Sequence, residues 1–202
     1  MIPIFPIAEE ICTRLPVHVR LRNSAEARAP MLEVFSLALN KSVDGPFMVP
    51  MRNGTLDVRD EMREILQREN GAAQGITTDR IIILHLQGPH LPSIDVVDMP
   101  GLVTVPARAK DQTRALLERH VERHGRHSMY LAVVPAGTRP NTSIAMEFVQ
   151  AKGLERRTLG VLSQCDRGDA DTVLGLLRGP PDERLGGLAL APHGWYATMN
   201  KP

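Results

Sequence analysis

The second half of the chain alternates short apolar runs with stretches of helical periodicity. Residues 129–134 and 157–163 are runs rich in β-branched residues, whereas 142–152 and 170–178 carry apolar residues at helical spacing. This alternation predicts βαβ crossovers, and therefore an α/β fold with a mainly parallel sheet and helices on both faces. Ligands of such sheets bind beyond the carboxyl ends of the strands.

The first half predicts further strands and one amphipathic helix. Residues 16–22 alternate apolar and polar side chains, which is typical of a half-exposed strand. The runs 81–86 and 93–97 flank a turn-rich connector and predict an antiparallel pair. A helix is expected over 56–70, with Val58, Met62, Ile65 and Leu66 on its apolar face and Gly71 as its stop. Other expected elements are a helix over 111–124 and a last strand within 188–199, while 29–41 is ambiguous.

Composition excludes several classes of protein. The longest apolar run free of Gly and Pro is 129–134, which is much shorter than the roughly 18 residues that span a bilayer. Twenty-four basic against 23 acidic residues give a net charge of +1, so no global field gathers nucleic acid. Two cysteines, Cys12 and Cys165, argue against a disulfide framework and for a cytoplasmic location.

The first candidate site follows the strand at 93–97. Asp98, Met99, Pro100 and Gly101 come directly after it. A carboxylate at this position can hold a cation through its water shell, and the Gly amide can meet a terminal phosphate. An ordinary turn built from Asp, Pro and Gly is the alternative, and for the tetrapeptide alone it is the commoner one.

The second candidate site follows the strand at 157–163. Asp166 lies just beyond that strand, where its carboxylate can accept two hydrogen bonds from guanine. A helix N-cap or a solvated loop acid is the alternative for this residue. The order of Asp-x-x-Gly, a strand, a helix, a strand and then Asp is that of a guanine-nucleotide-binding domain.

The flanking residues resemble the dynamin family of large GTPases, in the family's order. Residues 96–106 resemble its Asp-Leu-Pro-Gly-x-x-x-x-Pro stretch, and 130–136 look like its next strand. Residues 156–166 resemble Arg-Thr-x-Gly-Val-x-Thr-Lys-x-Asp. Residues 11–16 are similar to the Val-Thr-Arg-Arg-Pro switch, and 194–201 to the Gly-Tyr-x-x-Val-x-Asn-Arg strand. The resemblance implies that residues 1–202 are part of a dynamin-type GTPase domain, from the switch threonine to the last base-contacting strand.

The resemblance also implies roles for individual residues. Thr13 would be the catalytic switch threonine and, together with Asp98, would hold Mg²⁺. Gly101 would sense the γ-phosphate, with Met99 and Pro100 beside it. Asp166 would read guanine. The remaining nucleotide contacts would come from Ser163, Gln164, Asp169, Asn200 and Lys201.

Several features depart from the family pattern. No Gly-Lys pair occurs in the sequence, so the phosphate-binding loop Gly-x-x-x-x-Gly-Lys-Ser/Thr is missing from these 202 residues, and only twelve residues precede Thr13. The family's base-reading Lys is Gln164 here. The strand that carries the missing loop lies mid-sheet in related GTPases, so the strands at 93–97 and 129–134 are expected to flank a gap. The sequence ends at Pro202, just after Asn200, so the closing helices of the GTPase domain, the stalk and any lipid-binding module are expected to be absent from it.

Two functions follow as expectations. The first is a dynamin-like GTPase domain that uses GTP/GDP and Mg²⁺, with activity impaired by the missing loop. For such a domain the resemblance implies a link to membrane fission, microtubule binding and a homotypic GTPase-domain dimer. It would reach a membrane only indirectly, through segments outside this sequence. The second is a non-catalytic pseudo-GTPase that pairs with an intact GTPase domain. An unrelated α/β enzyme would need a catalytic group that the sequence does not offer.

Overall fold

The computed structural model describes residues 15–52, 55–72, 79–103, 106–178, 190 and 192–199. The chain divides into two compact units, residues 1–118 and 119–202. Each combines a β-sheet with helices, which confirms the predicted α/β class. None of the helices in the described ranges is both long and apolar enough to cross a lipid bilayer.

The first unit is built on a mixed five-stranded sheet. Its strands lie in the order β3-β2-β6-β1-β7. The β1–β6 pair is parallel, and the other pairs are antiparallel. The strands are β1 (Val17–Asn23), β2 (Arg28–Ser36), β3 (Lys41–Met48), β6 (Arg80–Gly88) and β7 (Ile94–Asp98), and a small hairpin is formed by β4 (Met51–Arg52) and β5 (Thr55–Leu56). The ambiguous segment 29–41 therefore forms most of β2 and the turn into β3.

One helix covers one face of this sheet. Helix α1 (Val58–Ala72) buries all four predicted apolar residues, and none of them is more than 3% exposed. They pack with alternate residues of the strands, among them Val17, Val19, Ile82 and Leu84. The helix continues through Gly71 to Ala72, so the expected stop at Gly71 is wrong by one residue.

The strands β6 and β7 run antiparallel to each other, as expected, but they are not paired. Strand β1 lies between them, and His18 is opposite Ile83 on one side and Val97 on the other. Asn23 at the end of β1 ties down the connector, because its Nδ2 donates to the carbonyls of Pro89 at 3.2 Å and Leu91 at 3.0 Å. The connector therefore passes the end of an intervening strand.

The second unit is built on a parallel three-stranded sheet in the order β10-β9-β8. The strands are β8 (Tyr130–Pro135), β9 (Thr158–Ser163) and β10 (Trp195–Ala197), with α3 (Ile144–Ala151) and α4 (Ala170–Arg178) as the intervening helices. Helix α2 (Ala107–His124) precedes β8 and spans the division between the units. The predicted strand–helix alternation is confirmed, although the described final strand is limited to three residues.

Strands β7 and β8 are each the edge strand of their own sheet within the described residues. In β8, Ala132 and Val134 are buried, whereas Leu131 and Val133 are 65% and 54% exposed. On β7, Ile94 is half exposed. Each strand therefore has one edge that pairs with no other described strand, and the face of β8 that carries Leu131 and Val133 is exposed.

Candidate functional site

The loops that follow β8, β9 and β10 are joined at the carboxyl edge of the second unit's sheet. The Ala136 N–H, just after β8, donates to the Ser163 carbonyl at 2.8 Å. The Thr198 N–H, just after β10, donates to the Leu162 carbonyl at 2.8 Å, and the Cys165 N–H donates to the Thr198 carbonyl at 3.1 Å. The loop after β9 is thus held between its two neighbours.

Gln164 sets the course of this loop. Its backbone is left-handed, with φ 55° and ψ 42°, a conformation that costs energy in any residue with a Cβ. The reversal starts a single 3₁₀ turn, Cys165–Arg167, in which the Arg167 N–H donates to the Gln164 carbonyl at 2.9 Å. Cys165 packs inward with Leu162, Val173 and Trp195, and Asp166 and Arg167 are exposed.

Asp169, not Asp166, caps helix α4. Its Oδ2 accepts hydrogen bonds from the Thr172 N–H and hydroxyl, both at 2.8 Å. These two bonds, with that of the hydroxyl the larger cause, lower the pKa of Asp169. Asp166 makes no hydrogen bond or ion pair with another described residue. The N-cap alternative for Asp166 is therefore wrong, and its carboxylate is open to a ligand.

A shallow cavity of about 200 Å³ lies between the loop after β8 and the start of α4. Gly168 packs tightly on Ala136, since a Cβ at position 168 would lie 2.7 Å from the Ala136 Cβ. Ligand pockets usually enclose about 300–1,000 Å³, so this cavity is too small for a whole nucleotide. Its lining residues are Ala136, Gly137, Thr138, Arg139, Asp169 and Thr172.

The other predicted cluster lies in the first unit, at the end of β7. Asp98 is half buried and stands opposite Val17 in the ladder. Pro100 is buried and Met99 half buried, whereas Gly101 is exposed and no described atom beyond its chain neighbours lies within 4 Å of the place a Cβ would take. The described residues therefore leave the Gly101 backbone accessible.

Charged groups hold this edge strand against β1. The Asp95 carboxylate lies 3.1 Å from His18 Nε2 and 2.5 Å from an Arg22 guanidinium nitrogen. The hydrogen bond from Arg22 is the main cause of the lowered pKa of Asp95. Burial lowers the pKa of His18 more than the nearby Asp95 carboxylate raises it. β7, which ends at Asp98, is thus fixed by side chains as well as by its ladder.

Among the described residues, one predicted side chain is a candidate ligand for Mg²⁺, the Asp98 carboxylate. No group of three His, Cys, Asp or Glu residues within the described ranges is arranged to hold a metal. A single carboxylate fits Mg²⁺, which keeps several waters and is commonly held by one or two carboxylates and substrate phosphates. Thr13, Asn200 and Lys201 lie outside the described residues.

The structure brings together Ser163, Gln164, Asp166 and Asp169 in one loop, and it places Asp98, Met99, Pro100 and Gly101 in the other unit. The sequence did not predict that Thr198 is hydrogen-bonded to the end of β9 and to the loop after it, because this contact depends on pairing between distant segments. It also missed the bond between Asp169 and Thr172, although Asp directly before a helix is a readable N-cap signal.

Comparison with known proteins gives a consistent result. The family described as "Dynamin family" matches residues 2–165. The interferon-induced GTP-binding protein Mx of Perca fluviatilis is 24% identical over 181 residues, 85% of this chain and 56% of that protein. The Mx protein of Epinephelus coioides is 25% identical, over 84% of this chain and 26% of that protein. The dynamin-1-like protein of Danio rerio is 33% identical over 122 residues, 57% of this chain and 17% of that protein. This chain spans about half of the first relative and about a quarter or less of the other two.

Proposed function

This chain belongs to the dynamin family of large GTPases, and from that membership we propose that it supplies the guanine-reading part of a dynamin-type GTPase domain. The observation that carries the proposal is the Asp166 carboxylate, which has no partner among the described residues and is presented by a loop that is hydrogen-bonded to the loops on either side. Relatives are named as GTP-binding proteins, which makes guanine nucleotide the ligand of choice.

Base recognition follows from the chemistry of the carboxylate. The two Asp166 oxygens accept hydrogen bonds from the ring N–H and the exocyclic amine of guanine, and adenine has no matching pair of donors. The Cys165–Thr198 hydrogen bond limits movement of the loop, so little ordering is needed when the base binds. Ser163, Gln164 and Asp169 act here by shaping the loop, and Asn200 and Lys201 add contacts from the segment after β10.

Phosphate and metal binding are proposed for the first unit. Asp98 and Thr13 would hold Mg²⁺ as oxygen ligands, and the Gly101 amide would donate to the terminal phosphate. Met99 and Pro100 set the turn that presents this amide. Bound Mg²⁺ supplies charge neutralisation for phosphoryl transfer, and Thr13 orients the attacking water.

The expected affinity is low for these 202 residues alone. A Gly-x-x-x-x-Gly-Lys loop provides most phosphate contacts in P-loop GTPases, and these residues contain no Gly-Lys pair. We expect a Kd on the order of 1 mM, equivalent to about −4 kcal/mol, and no useful turnover. In the whole protein, GTP hydrolysis would drive membrane remodelling through homotypic pairing of GTPase domains.

A second candidate, a pseudo-GTPase that pairs with an intact GTPase domain, is favoured by Gln164. This residue stands where the family has a base-reading Lys, and it brings no charge to the nucleotide. The two functions differ in guanine-nucleotide binding. A pseudo-GTPase stays folded and monodisperse but does not recognise guanine.

A titration with a fluorescent GTP analogue in the presence of Mg²⁺ tests the proposal, with the matching ATP analogue as control. Guanine-selective, saturable binding that D166A abolishes is the expected result. D171A, which removes an exposed carboxylate from the first turn of α4, is the matched variant and keeps binding. A well-folded chain that binds neither analogue would transfer the assignment to the pseudo-GTPase.

A further inference from the structure

Arg167 directly follows Asp166, the proposed base-reading residue, on the same 3₁₀ turn. Its side chain is exposed and makes no hydrogen bond or ion pair within the described part of the chain. Asp166, its immediate neighbour, is equally unpaired. Two opposite charges on one turn that pair neither with each other nor with any other described residue are both available to one ligand.

The geometry of the turn directs both side chains outward. A 3₁₀ helix has three residues per turn, so successive side chains point about 120° apart. Cys165 takes the inward direction, because its thiol donates to the Leu162 carbonyl at 3.3 Å. Asp166 and Arg167 therefore take the two outward directions from the same turn.

This arrangement distinguishes two ways of contacting a flat base. Hydrogen bonds from the base to Asp166 lie in the base plane, so the ring extends outward from that carboxylate. A side chain of the length of arginine that leaves the turn about 120° away is long enough to reach the face of that ring. A guanidinium is planar, always charged and weakly hydrated, and it stacks on π-systems.

Resting on the proposed function, we propose that Arg167 is a base-stacking and specificity-determining residue, which places its guanidinium on the face of the guanine that Asp166 reads. It supplies the cation that Gln164 does not. Gln164 contributes through its left-handed backbone, which starts the 3₁₀ turn and so positions Asp166 and Arg167.

Ligand-observed NMR titrations with GDP and guanosine separate stacking from a phosphate contact. R167A is expected to weaken both ligands by the same factor, about 5- to 150-fold, as the loss of one base stack does. R156A is the matched control and leaves both affinities unchanged, because Arg156 is an exposed arginine on another 3₁₀ turn, at the opposite end of β9. A loss confined to GDP would overturn the proposal in favour of a phosphate contact.

A second ligand tests the charge. 7-Methyl-GDP carries a positive charge on the base, so it is expected to bind the parent chain more weakly than GDP. R167A should reduce this discrimination, and an unchanged ratio would contradict stacking by Arg167. Circular dichroism confirms that each variant is folded.

The two proposals fail in different ways. If D166A abolishes guanosine binding while R167A has no effect, the proposed function stands and the role of Arg167 falls. If the parent chain binds neither GDP nor guanosine, both fall together.

Discussion

The indole ring of Trp195 lies directly against Gly160, its partner in the β9–β10 ladder. A Cβ at position 160 would lie 2.4 Å from two atoms of the ring, closer than non-bonded atoms approach. Trp195 also packs beside the buried Leu162 and Val173. The absence of a side chain at one position therefore lets the last strand join the sheet and brings Thr198 to the Asp166 loop.

G160A is expected to destabilise the chain by about 1–3 kcal/mol, the usual cost of overpacking. Urea unfolding followed by the fluorescence of Trp195, the single tryptophan in the sequence, measures the change. The matched control is G175A in the interior of α4, where no described atom outside the helix's own backbone lies within 4 Å of the added Cβ. This control should stabilise the chain by roughly 0.5–1 kcal/mol, because alanine is the better helix former. An unaffected G160A would refute the contact.

Leu84 and Leu131 provide a second matched pair. Leu84 is completely buried in the first unit, so L84A should cost about 2–5 kcal/mol through lost contacts and a cavity. Leu131 is 65% exposed on β8, and L131A should change stability by less than about 0.5 kcal/mol. Equal losses in chemical denaturation would contradict the exposed face of β8.

His18 gives the stability a predictable pH dependence. Burial lowers its pKa below the ordinary 6.5, despite the opposing effect of Asp95. The folded state therefore binds fewer protons than the unfolded state, and stability falls as the pH decreases from about 6.5 through the folded pKa. H18Q should flatten this part of the profile in unfolding experiments between pH 7 and about 4.5. A slope that is the same in H18Q and the parent chain would exclude His18 as its source.

Asp169 is expected to act as a structural cap as well as a neighbour of the site. D169A should lower the midpoint of thermal unfolding, because the Thr172 N–H loses its acceptor. D169S should recover most of the loss, since serine is also a good N-cap. If serine and alanine behave alike, capping is not the role of Asp169.

Local patterns predicted most of the second unit. The bounds of α4 follow from its periodicity, and the order of β8, α3, β9 and α4 is set by contacts between consecutive segments. The same local character explains why the position of Asp166 just beyond a strand could be predicted, since that position needs only a strand to precede it.

Long-range pairing was harder to predict. Local patterns of β6 and β7 favour a hairpin, and nothing in them indicates that β1, about 60 residues upstream, separates the two strands. The Gly160–Trp195 contact and the Cys165–Thr198 hydrogen bond join segments more than 30 residues apart. The 3₁₀ turn that carries Asp166 and Arg167 depends on the left-handed backbone of Gln164, which no local pattern indicates.

The most direct test of guanine recognition is a change of base specificity in D166N. Xanthine presents an acceptor where guanine has its exocyclic amine, so an asparagine amide matches xanthine while aspartate matches guanine. Calorimetric titrations should show that the parent chain prefers GDP to xanthosine diphosphate and that D166N reverses the preference, with D171N unchanged. A D166N variant that is folded yet retains the parent preference would contradict the assignment of Asp166 as the base-reading residue.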